Sequence, residues 1–316
     1  MKKKIAIISI LTISILFLVV SYIVGGMVYD GSVGSKQKIE NQEVLEVFSN
    51  RENKPLEVLE KYQYEDLFIN SPKNGYDIEA KFIKSNIESE NTVILVHGIE
   101  SYYYEYLDES AEYLENGHNV VIYNQRHTGK TGGDDYTFGL YERYDLDSVA
   151  KFLKERYPNG KLGAHGYSMG AATVLMHSGI NEEKKYVDFY IADSPYHEMK
   201  DAIRLGIEGE NVPLIPVGYA GVVGDIYTKI KSGFSYKDVK PYEAVRNTTA
   251  PVFLIHGTAD DVCQPKSSEI IYENIPHDKK EIWLIDGVKH VRGYEVLGDE
   301  YFDRIYKFID TYVFDK

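Results

Sequence analysis

The sequence predicts an α/β fold: a mostly parallel sheet with helices on both faces, a small lid insertion and an N-terminal transmembrane helix. Three observations lead to this prediction. Short apolar runs typical of buried strands alternate with amphipathic stretches of helical length. The runs are nearly continuous in valine, isoleucine and leucine, as in strands that are covered on both faces. Finally, Ile5–Val24 contains no charge and is long enough for a helix that crosses the ~30 Å hydrocarbon core of a bilayer.

The composition is that of a globular protein with an acidic surface. The chain has 316 residues, of which 43% are hydrophobic and 27% are charged, so a core of useful size can be buried. The net charge of −14 argues against a nucleic-acid partner, because such a partner requires a basic face. Cys263 is the only cysteine, so neither an intrachain disulfide nor a cysteine zinc cluster can form.

The N-terminal segment has the charge distribution of a membrane anchor. Lys2–Lys4 precede the apolar run and acidic residues follow it, which predicts a cytoplasmic N-terminus and an extracytoplasmic domain. A cleaved secretory signal, which would release the protein, is the alternative. It is disfavoured because the run is long and Gly25–Tyr29 contains no small-x-small cleavage site. We therefore predict a single-pass protein of the cell membrane, with residues 1–4 cytoplasmic, 5–28 as transmembrane anchor, 29–60 as stalk and 61–316 as the folded domain. The stalk includes a predicted short helix around Gln42–Phe48.

The folded domain is predicted to alternate between strands and helices. The predicted strands are Ile78–Ile83, Thr92–Val96, Asn119–Tyr123, Lys161–His165, Val187–Ala192, Pro251–Ile255 and Glu281–Ile285. The predicted helices are Tyr104–Asn116, Tyr144–Tyr157, Met169–Gly179, Ser267–Ile275 and Glu300–Phe314. In a parallel sheet of this kind the chemistry takes place beyond the carboxyl ends of the strands, so the residues that follow them are the candidates for a functional site.

One long interval, residues 195–246, lacks a strand candidate. It contains Pro213, Pro216 and several glycines between short apolar patches. We interpret it as a small lid inserted over the strand ends. A disordered surface loop is the alternative, and the number of apolar residues argues against it.

A nucleophile motif follows the strand predicted at Lys161–His165. Gly166–Gly170 has the pattern G-x-S-x-G and opens a predicted helix, which is the strand–turn–helix context of a nucleophile elbow. The turn is tight, so only small residues fit at the two glycine positions. Ser168 is therefore the predicted nucleophile, placed above the sheet at a helix N-terminus that favours developing negative charge.

A serine nucleophile needs a base and a carboxylate that orients the base. His290 follows the last predicted strand and Asp260 follows the strand before it, which gives the chain order Ser, Asp, His. Alternatives remain open, because Asp261 or Asp193 could supply the carboxylate and His290 could be an ordinary surface-loop histidine.

Two backbone N–H groups are predicted to stabilise the oxyanion of the reaction. One belongs to Met169, directly after the nucleophile, and the other to Ile99 in the loop after Val96. That loop could also be a simple strand-to-helix turn. The histidines show no H-E-x-x-H or similar spacing, so we predict no metal and no cofactor, and we assign no function to Cys263.

Four segments resemble the α/β-hydrolase superfamily, over about Gln63 to the C-terminus. They are Leu95–Gly98, Tyr123–Gly133, Gly166–Ala171 and His256–Asp260. In type and order they look like bacterial, membrane-anchored serine hydrolases of the serine aminopeptidase (S33) and monoglyceride-lipase-like branch. The second segment resembles that branch's Y-D-x-R-G-H-G-x-S loop but departs from it at Asn124 and His127–Thr128. The resemblance implies an α/β-hydrolase fold and a Ser-His-Asp mechanism, and it does not specify a substrate.

The motifs together predict acyl transfer through a covalent intermediate on Ser168. We expect the substrate to be a small-molecule or lipid-like carboxylic ester, such as an acyl glycerol, because esters are cleaved more readily than amides and a lid suggests an apolar acyl group. A peptidase or aminopeptidase, an acyltransferase and a non-catalytic surface module with the same residues remain as alternatives.

Overall fold

An eight-stranded sheet forms the centre of the protein. The computed structural model describes residues 2–35, 46–50, 55–210 and 215–314. The strands are β1 Tyr64–Ser71, β2 Tyr76–Ile83, β3 Thr92–Val96, β4 Asn119–Tyr123, β5 Leu162–Tyr167, β6 Phe189–Asp193, β7 Val252–Gly257 and β8 Lys280–Ile285. Their spatial order is β1-β2-β4-β3-β5-β6-β7-β8. The pairs β1–β2 and β2–β4 are antiparallel and all other neighbours are parallel, so the predicted mostly parallel sheet is confirmed.

Helices cover both faces of this sheet. The α-helices of the described residues that we refer to are α1 Lys2–Asp30, α2 Glu57–Lys61, α3 Leu107–Glu115, α4 Glu142–Arg156, α5 Met169–Asn181, α6 Met199–Glu210, α7 Val217–Ser232, α8 Pro241–Ala244, α9 Lys266–Asn274, α10 Gly293–Leu297 and α11 Asp299–Tyr312. Short 3-10 helices lie at Tyr103–Tyr106, Tyr236–Asp238 and Val245–Asn247.

The alternation of strand side chains produces two buried layers. In β3, Val93 and Leu95 point to the face where α3 and α11 pack, while Ile94 and Val96 point to the face covered by α4 and α5. Aromatic side chains dominate the first layer and aliphatic ones the second. Because both layers exclude water, β3 to β7 are held rigidly and their carboxyl ends form one fixed edge.

The sequence analysis missed strand β1. It is an edge strand that pairs only with β2, and of its eight residues only Ile69 and Ser71 are buried. An edge strand with one solvent-exposed face has few buried positions for apolar residues, so its alternation of apolar and polar residues is weak. No strand was predicted over Tyr64–Ser71 for this reason.

The apolar N-terminal run is one long helix, α1. Its most apolar segment has a mean hydropathy of 2.7 and is almost wholly exposed. Its last turns and the residues after it pack against the rest of the protein. Tyr29 and Val33 are buried, and the carbonyl of Val33 accepts a hydrogen bond from the N–H of Tyr136 at 2.9 Å. Most of the helix predicted around Gln42–Phe48 lies outside the described residues.

The interval 195–246 contains helices α6, α7 and α8 rather than a disordered loop, with residues 211–214 outside the described part. Helix α7 lies beside α1 and runs parallel to it. Ser21 contacts Tyr219 and Tyr29 contacts Ser232, with hydroxyl oxygens 2.8 and 2.9 Å apart. A third buried cluster joins the end of α1 to the lid and to the region around Met169. The lid is therefore attached both to the sheet edge and to the N-terminal helix.

Candidate active site

The turn between β5 and α5 is sterically closed to any residue but glycine at two positions. Ser168 has a φ of 54° and a ψ of −116°, a strained conformation for a residue with a side chain. A Cβ on Gly166 would lie 2.2 Å from the carbonyl oxygen of Gly170, and one on Gly170 would lie 1.9 Å from that of Val96. The sequence G-x-S-x-G thus folds into a tight turn that lifts Ser168 out of the sheet edge.

Loops from three strands bring the predicted catalytic side chains together. The Oγ of Ser168 lies 2.9 Å from Nε2 of His290, and Nδ1 of the same ring lies 2.7 Å from Oδ2 of Asp260. The side chain of Asp260 is fully buried, whereas that of His290 is 18% exposed. A serine, an imidazole and a carboxylate therefore form one continuous hydrogen-bonded chain.

Asp260 is held as a carboxylate. Burial alone would raise its pKa, but hydrogen bonds from His256 and His290 and the N–H of Cys263 outweigh burial and hold the pKa well below its usual range. Its Oδ1 accepts the backbone N–H groups of Val262 at 2.9 Å and Cys263 at 2.8 Å. These bonds fix the carboxylate in position, so that Oδ2 faces the imidazole.

The two rival carboxylates are not in this position. Asp261 is exposed to solvent. Asp193 is buried and accepts hydrogen bonds from the hydroxyls of Ser194 at 2.8 Å and Tyr301 at 2.7 Å, and burial raises its pKa. The Oγ of Ser194 accepts the N–H of Val291 at 3.2 Å. Asp193 therefore helps to hold the loop that carries the histidine, without contacting its ring.

The two predicted oxyanion donors flank the serine. Met169 is the first residue of α5, where a backbone N–H has no acceptor within the helix. Ile99 follows Gly98, and a Cβ on Gly98 would contact the Cβ of Ser168 at 3.4 Å. Both Ile99 and Met169 line the cavity above Ser168. Ile99 and Met169 therefore lie at the same cavity as Ser168.

Buried His97 fixes the loop that carries Ile99. The N–H of Gln125 donates to Nε2 of His97 at 2.9 Å, so Nδ1 carries the hydrogen and donates to the carbonyl of Gly98 at 2.7 Å. Burial lowers the pKa of His97 to about 4, which keeps the ring neutral. The side chain of Gln125 also bonds the carbonyl of His97 and accepts from Thr173 at 3.1 Å. Sequence reasoning missed Gln125, because a lone glutamine in a loop carries no motif.

One group of side chains in the described residues has the spacing of a metal site. Ligand atoms of His197, Glu198 and Asp201 lie within 4.8 Å of one another. The ring of His197 is already engaged, with Nδ1 3.0 Å from Oγ of Ser267 and Nε2 3.4 Å from the Asp201 carboxylate. None of the three lines the cavity at Ser168.

A cavity of about 770 Å³ lies over Ser168. Its floor includes Ile99 and Met169, and α6 and α7 contribute the roof. The N-terminal helix also contributes three lining residues, Val24, Met27 and Val28, and Gly31 and Ser32 directly after it line the cavity too. Sequence reasoning did not anticipate this contribution, because the length and apolarity of a membrane span say nothing about what its end contacts. The volume is in the range of sites for small organic ligands.

Comparison with known proteins identifies similar chains. The family model described as serine aminopeptidase, S33, matches residues 87–232 and 239–296. The uncharacterized protein YqkD of Bacillus subtilis is 27% identical over 299 residues, which cover 93% of this chain and 95% of that protein.

Solved structures resemble about four fifths of the chain. An esterase of Pyrococcus furiosus, Pf2001, has a TM-score of 0.67 at 26% identity, covering 82% of this chain and 94% of that one. An acylaminoacyl peptidase of Pyrococcus horikoshii has a TM-score of 0.57 at 17% identity, covering 80% of this chain and 42% of that one. At that identity the second likeness concerns the fold alone.

Proposed function

Because the chain belongs to the S33 serine aminopeptidase family and is an esterase-like α/β-hydrolase, we propose that it cleaves a carboxylic ester through Ser168, His290 and Asp260. The observation that carries this proposal is the continuous hydrogen-bonded chain from Oγ of Ser168 through both ring nitrogens of His290 to Asp260.

In the proposed acylation step, Oγ of Ser168 attacks the ester carbonyl while Nε2 of His290 takes the hydroxyl proton. The oxygen of the tetrahedral intermediate accepts hydrogen bonds from the N–H groups of Ile99 and Met169. Each such donor contributes about 3 kcal/mol to lowering the barrier. Asp260 remains ionised because its pKa is low, and it stabilises the imidazolium. The proton then passes to the leaving alcohol oxygen, and the acyl group remains on Ser168.

In the proposed deacylation step, a water molecule gives its proton to the same ring nitrogen and attacks the acyl carbonyl. The second intermediate collapses, Oγ leaves with the proton returned by His290, and a carboxylic acid is released. An acyltransferase would use an alcohol in place of this water.

An ester with an apolar acyl group is supported by the cavity. Next to Ser168 it is lined by Ile99, Phe138, Met169 and Val262. The likeness to the esterase Pf2001 supports the same class. An aminopeptidase, which the family description favours, requires a group that binds a free amino cation beside the scissile bond. The carboxylate of Glu100 lines the cavity and accepts a hydrogen bond from the hydroxyl of Ser35. Glu208, Glu210 and Asp261 also line the cavity, so the aminopeptidase is the alternative to be tested.

We also propose that Ile5–Val24 is an uncleaved anchor with residues 1–4 in the cytoplasm and the domain outside. Support comes from the exposed apolar surface of α1 and from the packing of its last turns against the lid. Cleavage near Gly25 would remove Val24 from the cavity wall.

Labelling with a fluorophosphonate tests the nucleophile directly. The wild-type protein should be labelled, and Ser168→Ala should abolish labelling. Ser89→Ala, in the loop that precedes β3 at the opposite edge of the sheet, is the matched control and should leave labelling unchanged. An unlabelled wild type would favour a non-catalytic module. Hydrolysis of p-nitrophenyl esters compared with aminoacyl anilides then separates the esterase from the peptidase.

A further inference from the structure

We infer that the N-terminal membrane helix is itself a wall of the substrate site, so that the acyl chain of a membrane-resident ester lies along it and enters from the bilayer. This inference rests on the proposed ester hydrolysis and adds where the acyl chain binds and where it comes from. Four observations, taken in turn, carry it.

The first observation is that α1 and α7 are packed backbone to backbone. A Cβ on Gly25 would lie 2.7 Å from the carbonyl oxygen of Val223, and a Cβ on Gly224 would lie 2.7 Å from Cγ1 of Val28. Each helix thus presents a glycine where the other approaches. Small residues at such crossings permit the close packing by which helices associate inside membranes.

The second observation is the direction of this pair. Ser21 contacts Tyr219 with oxygens 2.8 Å apart, and Tyr29 contacts Ser232 further along both helices. The ring of Phe17 also lies 6.0 Å from that of Tyr219. The first turns of α7 are therefore level with Phe17 and Ser21, inside the predicted span. The Ser21 hydroxyl at this depth donates to the carbonyl of Phe17 and contacts the Tyr219 hydroxyl, so its polar groups are paired within the protein, as a hydrocarbon environment requires.

The third observation is the outer surface of α7. Val222, Ile226 and Ile230 are spaced by four residues and form one stripe, of which each side chain is more than half exposed. The stripe lies on a helix that is packed against the exposed apolar surface of α1. An apolar surface that continues across both helices is covered by the acyl chains of the bilayer in which α1 is embedded.

The fourth observation is the path of the cavity. Its lining includes Ser168, Gly31 just after α1, and Val28, Met27 and Val24 of α1; Val24 lies four residues before Val28, or about 6 Å at 1.5 Å per residue, where the predicted span ends. This path leads from the active serine towards the middle of the predicted span. Met27 lines the cavity and is also 56% exposed, so the cavity reaches the protein surface at α1 itself.

These observations define the substrate class. The carbonyl of the ester lies at Ser168, near the membrane surface, and the acyl chain extends along Val24, Met27 and Val28 towards the bilayer centre. An ester that already lies in the outer leaflet with its chain inward has this orientation. A long-chain acyl ester of the membrane therefore fits better than a short water-soluble one.

The test fills the cavity from the side of α1. Met27→Trp places a large ring in the cavity, whereas Ile23→Trp is the matched control, since Ile23 is 54% exposed on the same helix and does not line the cavity. Each full-length protein is reconstituted in phosphatidylcholine vesicles and assayed with p-nitrophenyl butyrate and p-nitrophenyl palmitate. Each buried methylene contributes about fourfold to binding, so loss of two or three contacts lowers kcat/KM by roughly tenfold or more.

We expect Met27→Trp to lower kcat/KM for the palmitate at least tenfold more than kcat/KM for the butyrate, and the remaining butyrate hydrolysis shows that the variant is folded. Ile23→Trp should change neither rate. Equal effects on the two esters, or no effect on either, would overturn the inference.

A second readout does not depend on hydrolysis. A diazirine-bearing palmitic acid in the vesicles should cross-link wild type at residues 24–31, and Met27→Trp should suppress the cross-link. If wild type cleaves no ester but is cross-linked there, the proposed function fails and the acyl site stands. If wild type is active but no cross-link forms at α1, the acyl site fails and the proposed function stands.

Discussion

Replacement of Asp260 by asparagine changes one atom of the buried carboxylate and tests the whole hydrogen-bonded chain. Oδ1 of Asp260 accepts two backbone N–H groups, from Val262 and Cys263, so the asparagine carbonyl oxygen takes that position. The amide nitrogen then faces Nδ1 of His290. Because an amide N–H donates, it stabilises the tautomer in which Nδ1 accepts and Nε2 carries the hydrogen. That tautomer cannot take the proton of Ser168.

The expected loss can be estimated from this geometry. Asp260 is fully buried and is the carboxylate that the ring of His290 contacts, at 2.7 Å. A tautomer error of this type lowers kcat by about 10⁴-fold in a serine-protease triad. Such a factor corresponds to about 5.4 kcal/mol in the activation free energy. We expect a loss of this order for Asp260→Asn.

The assay is the hydrolysis of p-nitrophenyl butyrate at neutral pH, with thermal unfolding measured in parallel. Asp261→Asn is the matched control, since it makes the same chemical change at the exposed neighbour and should stay within twofold of wild type. If Asp260→Asn remains folded and keeps more than a tenth of the activity, the proposed triad is refuted. If Asp261→Asn is the inactive variant, the carboxylate has been assigned to the wrong residue.

Two further predictions concern the packing that supports the site. Gly170→Ala should prevent folding or lower the free energy of unfolding by about 3 kcal/mol or more, since its Cβ would lie 1.9 Å from the carbonyl oxygen of Val96. The control is Gly221→Ala, whose Cβ would have no atom within 4 Å and which should raise the free energy of unfolding by up to about 1 kcal/mol. Equal thermal unfolding temperatures of the two variants would contradict the strained turn. His97 and His165 together should contribute about 4 kcal/mol less to the free energy of unfolding at pH 5 than at pH 8, because burial lowers the pKa of His97 to about 4 and that of His165 to about 3, so the unfolded chain, with ordinary values near 6.5, binds protons that the native state does not. This contribution is fully present above pH 6.5 and is lost as the pH falls towards the native values. Glu109 and Asp145, whose pKa values burial raises to about 8 and about 6, change stability in the opposite direction over the same range. The measurement is therefore an NMR titration of the two histidine rings, and a ring that takes up its proton above pH 6 would contradict the prediction.

The part of the site that could be predicted from the sequence depends on local rules. The elbow at Ser168 requires two glycines between a strand and a helix, and both the spacing and the element types are visible in the chain. Asp260 and His290 follow predicted strands, and the carboxyl ends of parallel strands meet at one edge. The parallel β7–β8 pair places their two loops side by side.

Other features depend on long-range contacts that leave no mark in the pattern. Strand β1 was missed because most of its residues are exposed to solvent, so apolar and polar residues do not alternate clearly along it. The parallel pairing of α1 with α7 was missed because the pattern does not mark Gly25 and Gly224 as contact positions until their partners are known. The proposed stalk illustrates the same point, since its first residues, Tyr29 and Val33, are buried against the domain.

The attachment of the lid to the N-terminal helix has a practical consequence for anyone who wishes to crystallise the protein without detergent. A protein that starts at residue 36 would lack the α1 residues that contact Gly224 and Tyr227, so α7 would expose apolar surface on two sides. Such a protein would aggregate through the exposed apolar surface of α7. A water-soluble version therefore needs polar replacements on both sides of that helix at the same time as the deletion.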